Sequence, residues 1–228
     1  MLALLPGLDG TGELFAPFMA ALTRHPHRIV PLPATGDQRH AALAARLRDG
    51  LPCEPFVLVA ESFSGPIGAA LARDPPSAMR GIAFVATFLS PPPGAGLGGL
   101  LPVKPLALWP GARSASRAVL LGPRADPEVA ALFERVLRGL DARLVRERLA
   151  AIAALRARPG GPAVDLPALY LRATADWLVR GRHADEFGRS FPRLRVEAVR
   201  GPHFLLQARP VPCAALIEAF ADECLADG

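Results

Sequence analysis

Ser62 stands where a side-chain hydroxyl could act as a nucleophile. The run Phe56-Val57-Leu58-Val59-Ala60 has the composition of a short buried strand, and helical spacing of apolar residues begins after Ser64 and Gly65. This pattern predicts a strand, a sharp turn and a helix, with the serine at the apex of the turn. Such a turn strains the serine backbone and lifts the hydroxyl to the N-terminus of the next helix. An ordinary strand–loop–helix connection that contains a serine is the alternative at this point.

The chain opens on a second strand, loop and helix pattern. An apolar run at 2–5 leads into Pro6-Gly7-Leu8-Asp9-Gly10-Thr11-Gly12, and helical spacing follows from 14 to 22. A dinucleotide site needs the spacing G-x-G-x-x-G and an acidic residue after the second strand. This loop has G-x-x-G-x-G, and the predicted second strand, 28–32, ends in Pro33. The loop therefore does not favour a nucleotide cofactor.

Strands and helices alternate along most of the chain. Further strands are predicted at 81–86, 168–173 and 194–199. Alternation of this kind predicts an α/β fold with a doubly wound parallel sheet. Residues 91–164 interrupt the alternation with helical patterns, one of which begins at Asp126-Pro127-Glu128. A break near Gly139 and Asp141 separates that helix from the next.

Three separated motifs resemble those of the α/β-hydrolase superfamily. They are the turn around Ser62, the loop Asp176-Trp177-Leu178-Val179 and the loop Gly201-Pro202-His203-Phe204. The superfamily orders its catalytic residues serine, acid, histidine. The resemblance therefore implies Ser62 as nucleophile, Asp176 as the acid and His203 as the general base. It also implies a reduced, mostly parallel sheet of about six strands, with helices on both faces and a helical cap.

The resemblance extends to the glycine-rich loop. Pro6-Gly7-Leu8-Asp9-Gly10 is similar to the His-Gly-x-x-Gly loop of the superfamily, with Pro6 where histidine is commoner. It implies that the backbone N–H groups of Leu8 and Phe63 form the oxyanion hole.

The superfamily carries its cap as an insertion over the serine. The resemblance assigns 91–164 to this cap, and 1–90 with 165–228 to the core. We expect substrate contacts from Leu8 and Phe63 and from two cap residues, Leu120 and Phe133. Helices that only pack on the core are the alternative to a lid.

The layout of the chain is most similar to small carboxylesterases that include pimeloyl-acyl-carrier-protein methyl ester esterase of biotin synthesis. This implies a serine esterase acting on an acyl ester, with acyl carrier protein as a candidate partner. Arginines on the predicted cap would face such an acidic carrier, namely Arg135, Arg138, Arg143, Arg146 and Arg148. A solvated face explains these arginines equally well. A thioesterase or acyltransferase with the same residues, and a catalytically silent ligand-binding fold, are the other hypotheses.

Composition excludes several other classes of protein. A hydrophobic content of 51% excludes a disordered chain. We predict a cytoplasmic protein that does not enter a membrane, because no apolar run is long enough to span one and no basic signal segment begins the chain. The net charge is +5, and almost all the positively charged side chains are arginines, since Lys104 is the only lysine. No basic stripe interleaved with aromatic residues indicates nucleic-acid binding.

The remaining polar residues suggest no metal or cofactor. Three cysteines, Cys53, Cys213 and Cys224, lack metal-like spacing and indicate a reducing compartment. Ser64 is a poorer nucleophile candidate, because Pro66 then takes a position that needs a small residue. We expect Glu61 to line the entrance of the site. The other histidines are expected in solvent, namely His25, His27, His40 and His183.

Overall fold

A parallel sheet forms the centre of the molecule. The computed structural model describes residues 1–95, 110–156 and 162–226. The strands in these ranges are β1 (Leu2–Leu5), β2 (His27–Ile29), β3 (Phe56–Glu61), β4 (Met79–Val85), β5 (Ala168–Ala173) and β6 (Leu194–Val199). Their order is β2-β1-β3-β4-β5-β6, and every neighbouring pair is parallel. The predicted α/β fold with about six strands is confirmed, and all the strands end at one edge.

Both faces of the sheet are buried. Side chains of β1 alternate between two hydrophobic clusters, with Ala3 and Leu5 in one and Leu2 and Leu4 in the other. All residues of β1 and β3 are buried. A strand covered on both faces has no polar alternation, which explains the continuous apolar runs in the sequence.

Helices cover the two faces. They are α1 (Ala16–Ala21), α2 (His40–Leu47), α3 (Gly65–Arg73), α4 (Pro110–Leu121), α5 (Pro127–Gly139), α6 (Ala142–Ala153), α7 (Arg182–Gly188), α8 (Leu205–Ala208) and α9 (Pro210–Ala226). Leu43 of α2 and Ile67 of α3 lie in one cluster. Phe18 of α1 and Ile217 of α9 lie in the other. Among the helices of the described ranges, none is long and apolar enough to cross a membrane.

Helices α4 to α6 lie beside the carboxyl ends of the strands. Helix α5 begins as predicted, because the Asp126 carboxylate accepts hydrogen bonds from the N–H groups of Glu128 (2.8 Å) and Val129 (3.4 Å). Phe133 of α5 packs in a small cluster with Leu14, which follows the glycine-rich loop. The predicted cap, 91–164, includes 96–109 and 157–161, which lie outside the described residues, so its boundaries stay a prediction.

The second strand is shorter than predicted. It covers His27–Ile29 rather than 28–32. Beyond it, the N–H of Val30 still donates to the carbonyl of Leu4 (2.9 Å), but that of Leu32 donates to the loop residue Gly10. Pro31 has no N–H to donate, so regular pairing stops there.

Candidate active site

Ser62 occupies a strained turn at the end of β3. Its φ angle is 47°, in the left-handed region that side chains other than glycine rarely adopt. A short 3-10 turn, Ser62–Ser64, leads directly into α3. The Thr87 hydroxyl, which follows β4, donates to the carbonyl of Ser62 and holds this conformation. The hydroxyl of Ser62 therefore stands at the carboxyl edge of the sheet, as the sequence predicts.

Loops after β5 and β6 bring Asp176 and His203 to the same edge. The Ser62 Oγ lies 2.8 Å from His203 Nε2, and His203 Nδ1 lies 2.7 Å from Asp176 Oδ2. Both side chains of this pair are buried, with 4% of the His203 side chain and 1% of the Asp176 side chain exposed. A carboxylate accepts only, so His203 donates its Nδ1–H to Asp176 and its Nε2 is left to accept from the serine.

Backbone donors fix the Asp176 carboxylate. Its Oδ1 accepts hydrogen bonds from the N–H groups of Leu178 (2.7 Å) and Val179 (2.9 Å). The second oxygen, Oδ2, is left for His203. The loop thus sets the direction of the carboxylate, and through it the orientation of the imidazole ring.

The glycine-rich loop lies against the serine. A Cβ built on Gly7 would stand 3.9 Å from the Cβ of Ser62. The Ser64 hydroxyl donates to the carbonyl of Pro6 and joins the loop to the serine turn. No described residue accepts a hydrogen bond from the backbone N–H of Leu8 or Phe63. Both donors predicted for the oxyanion hole are therefore unused by the protein in these ranges.

A cavity of about 430 Å³ opens onto Ser62 and His203. Three of the predicted substrate contacts line it, namely Leu8, Leu120 and Phe133. The fourth, Phe63, does not line the cavity, because its side chain is fully buried in the core. The other lining side chains from α5 and α6 are apolar, and they are Val136, Leu137, Leu149 and Ile152. The cavity suits an apolar chain attached to a carbonyl group.

A second cavity, of about 500 Å³, lies on the other side of α4. Its lining includes Trp177, Arg200, Pro202 and Gln207. Trp177 follows Asp176 directly and is 79% exposed. No group of three or more His, Cys, Asp or Glu side chains able to hold a metal ion occurs within the described ranges.

Glu61 is buried behind Ser62. The prediction that it lines the entrance of the site is therefore wrong. Only 4% of the residue is exposed, and burial raises the pKa of its carboxyl to about 8. The Nε2 of Gln207 donates to its Oε2 at 3.3 Å, and Oε1 has no partner among the described residues. The carboxyl is consequently held in its neutral form at neutral pH.

Solved structures resemble this one over nearly its whole length, although no family model and no curated protein matches the sequence. An enol-lactonase from Burkholderia xenovorans LB400 superposes with a TM-score of 0.80 at 19% identity, covering 96% of this chain and 90% of that one. An esterase from Exiguobacterium antarcticum gives 0.78 at 13% identity, with 96% and 90% covered. A hydrolase from Pseudomonas aeruginosa PA01 gives 0.76 at 18%, with 96% and 88% covered. The chain has the α/β-hydrolase fold.

Three further predictions about polar residues are wrong. His40 and His183 are buried, with 6% and 0% exposed, although solvated positions were expected. Burial lowers the pKa of His40 to about 4, so the ring is neutral beside Phe63. Arg148 is buried as well, with 1% exposed, and is unavailable to a carrier protein. Each of these side chains lies on a helix face that turns towards the core.

The structural roles of two residues were not predicted from the sequence. Thr87 holds the Ser62 carbonyl, and Arg148 donates to the Leu8 carbonyl. Thr87 could have been noticed as a polar residue directly after a buried strand. Arg148 lies at helical spacing between Val145 and Ile152, on the apolar side of α6. An arginine in an apolar stripe is the signal that was available for it.

Proposed function

We propose that the protein is a serine hydrolase that cleaves a carboxylic ester of an acyl substrate through an acyl-enzyme intermediate. The hydrogen-bonded line from Asp176 through His203 to Ser62, opening into an apolar cavity, carries this proposal. A serine hydroxyl is a poor nucleophile at neutral pH and needs an adjacent base. The buried Asp176–His203 pair is such a base.

In the acylation step, Ser62 Oγ attacks the carbonyl carbon of the ester while its proton moves to His203 Nε2. The carbonyl oxygen becomes an oxyanion that accepts from the N–H groups of Leu8 and Phe63. Asp176 stabilises the imidazolium that forms. When the C–O bond of the ester breaks, His203 returns the proton to the leaving alcohol, and the acyl group stays on Ser62.

In the deacylation step, water takes the place of the alcohol. His203 accepts a proton from the water as its oxygen attacks the acyl carbon, and a second oxyanion forms at the same donors. The proton then returns to Ser62 Oγ as the acid leaves. Atoms balance as one ester and one water giving one acid and one alcohol.

Covalent labelling tests the chemistry directly. A fluorophosphonate probe should label the wild-type protein on Ser62, and a medium-chain nitrophenyl ester should be hydrolysed. Ser62→Ala should lose both activities. The matched control is Ser77→Ala, because Ser77 is exposed and precedes β4 at the opposite edge of the sheet. A wild-type protein that neither takes the probe nor hydrolyses any ester would favour a silent ligand-binding fold.

Turnover of two matched series of substrates identifies the substrate class. Oxyesters and thioesters of the same acyl groups, with and without an added alcohol, separate an esterase from a thioesterase or acyltransferase. Because a buried methylene contributes about 0.8 kcal/mol, kcat/KM should rise roughly fourfold per carbon until the cavity is full. A flat dependence on chain length would show that the cavity does not hold the acyl chain.

An acidic acyl carrier protein is the proposed presenter of the acyl group. Four arginines on α5 and α6 are exposed and support this proposal, namely Arg135, Arg138, Arg143 and Arg146. Charge reversal of Arg135 and Arg138 should weaken turnover of a carrier-bound ester and leave a nitrophenyl ester unaffected. Reversal of two exposed arginines elsewhere, Arg73 and Arg193, controls for net charge. Equal effects on both substrates would reject the carrier.

A further inference from the structure

Arg148 is a buried cation beside the candidate active site. It belongs to α6, is 1% exposed and forms no ion pair with any carboxylate of the described residues. Burial lowers the pKa of the Arg148 guanidinium, and the charge of Asp9, which lies too far away to form an ion pair, opposes this only in part. A buried charge in this position is costly unless it is well hydrogen-bonded. Its hydrogen bonds must therefore compensate for the lost hydration.

The guanidinium spreads its donors over three partners. Its Nη1 donates to the carbonyl of Leu8 at 2.8 Å, and its Nη2 donates to that of Pro33 at 3.2 Å. Its Nε donates to Gln38 Oε1 at 3.0 Å. The two N–H groups of the Gln38 amide are shared among the carbonyls of residues 33, 35 and 36, which lie 3.1 to 3.2 Å from Nε2, so one network joins α6 to two loops of the core.

The same side chain contacts both residues that offer the unused N–H groups. Its Cζ lies 5.8 Å from the ring centroid of Phe63, within the range of a cation–π contact. Its Nη1 holds Leu8 from the carbonyl side. The glycine-rich loop packs closely against the guanidinium of Arg148. A Cβ built on Gly10, where φ is +76°, would lie 2.3 Å from Nη1.

We infer that Arg148 is a positioning residue that makes the oxyanion hole depend on the seating of α6. This inference rests on the proposed function. Fixing the Leu8 carbonyl fixes the backbone of that residue, and so the direction of its N–H. Arg148 does not line the cavity and touches no substrate there. If α6 moves away from the core, the loop is no longer held by Arg148, and hydrolysis slows although Ser62, His203 and Asp176 remain in place.

Two substitutions and one control separate positioning from general stability. Arg148→Met removes the donors, and Arg148→Lys keeps a charge but loses the planar fork that serves three partners. Arg73→Met is the control, because Arg73 is an exposed arginine at the end of α3 and lines neither cavity. If Arg148→Met does not fold, the same measurements on Arg148→Lys test the inference.

Two measurements give the result. Both Arg148 variants should lower kcat for a nitrophenyl ester by about 10²-fold, the usual loss for one oxyanion donor, with KM nearly unchanged. Hydrogen exchange of the peptide that contains residues 6–12 should become faster, while exchange in β3 and β4 stays slow. Arg73→Met should change neither quantity.

Three outcomes would overturn the inference. They are unchanged exchange at 6–12, faster exchange with unchanged kcat, and a loss confined to KM. The proposed function fails separately, if the wild-type protein neither hydrolyses esters nor takes the fluorophosphonate. Hydrogen exchange would then still show whether Arg148 holds the loop.

Discussion

Asp176 uses its two oxygens differently, and this makes one substitution diagnostic. In Asp176→Asn, Oδ1 can still accept from the N–H groups of Leu178 and Val179, which places the new NH₂ group against His203 Nδ1. Nδ1 must then accept, and the proton moves to Nε2, where it blocks the base. We expect kcat to fall by about 10⁴-fold with the fold retained, as in other serine hydrolases with this change.

Ester turnover and circular dichroism check the expectation for Asp176→Asn. Asp165→Asn, an exposed aspartate before β5, is the control and should keep its activity. Substantial turnover in Asp176→Asn would mean that another group orients the histidine.

Single residues were predictable where a local motif marks them. Ser62, Asp176 and His203 each follow a strand in a recognisable loop, so sequence placed all three. Arg148 has only a weak local signal, its place in an apolar stripe, and the residues that surround it lie in loops more than a hundred residues away, including Gln38. Glu61 was misplaced because the sequence does not tell on which side of the turn its side chain lies.

The serine turn and the residue after β4 form one unit at the level of elements. A Cβ on Gly65 would lie 1.9 Å from Thr87 Oγ1, the group that holds the Ser62 carbonyl. Gly65→Ala should therefore destabilise the protein by about 1–3 kcal/mol, the range for overpacked sites, and lower kcat as the serine moves. Urea unfolding and ester turnover measure the two effects.

A glycine elsewhere provides the comparison for Gly65→Ala. Gly139, at the end of α5, has no atom within 4 Å of a built Cβ. Gly139→Ala should leave both quantities nearly unchanged. If the two alanine variants behave alike, close packing at the turn is not what constrains residue 65.

The ends of helices and strands were predicted well where capping residues mark them in the sequence. Helix α5 has a capping aspartate, a proline at its start and an apolar stripe, and its start was found at the right residue. Strand β2 has a proline just beyond it, and its end was missed by three residues, since Pro31 breaks the pairing there. The seat of α6 on the core could not be predicted, because it depends on tertiary contacts of Arg148.

Glu61 makes a contribution to the stability of the whole molecule that decreases as pH rises. Its pKa is raised from the ordinary 4.5 to about 8 by burial. Between these values the folded protein keeps a proton that the unfolded chain loses. At this site the unfolded state then binds fewer protons, so the contribution of Glu61 to the unfolding free energy falls with rising pH across this window. Above about pH 8, the full penalty of a buried charge applies.

Glu61→Gln should remove this dependence. The variant should be more stable than the wild type by a margin that grows from about pH 5 to pH 8, as measured by urea unfolding. Glu13→Gln, on an exposed residue, should give no growing margin. A constant difference between Glu61→Gln and wild type would show that Glu61 is ionised in the folded protein throughout.

The overall architecture was the most predictable part of the molecule. Buried parallel strands need continuous apolar runs, and these runs can be recognised in the sequence without knowledge of the loop conformations. The placement of Ser62 and His203 at one edge follows from that topology.

Trp177 gives the protein an optical reporter of its own. It is largely exposed and adjoins Asp176, and Trp109 is the second of the two tryptophans in the sequence. With Trp109→Phe, the emission spectrum would come from Trp177 alone. Its emission wavelength and its quenching by iodide would then report changes beside Asp176 and in the second cavity, which Trp177 lines, in real time and without any attached dye.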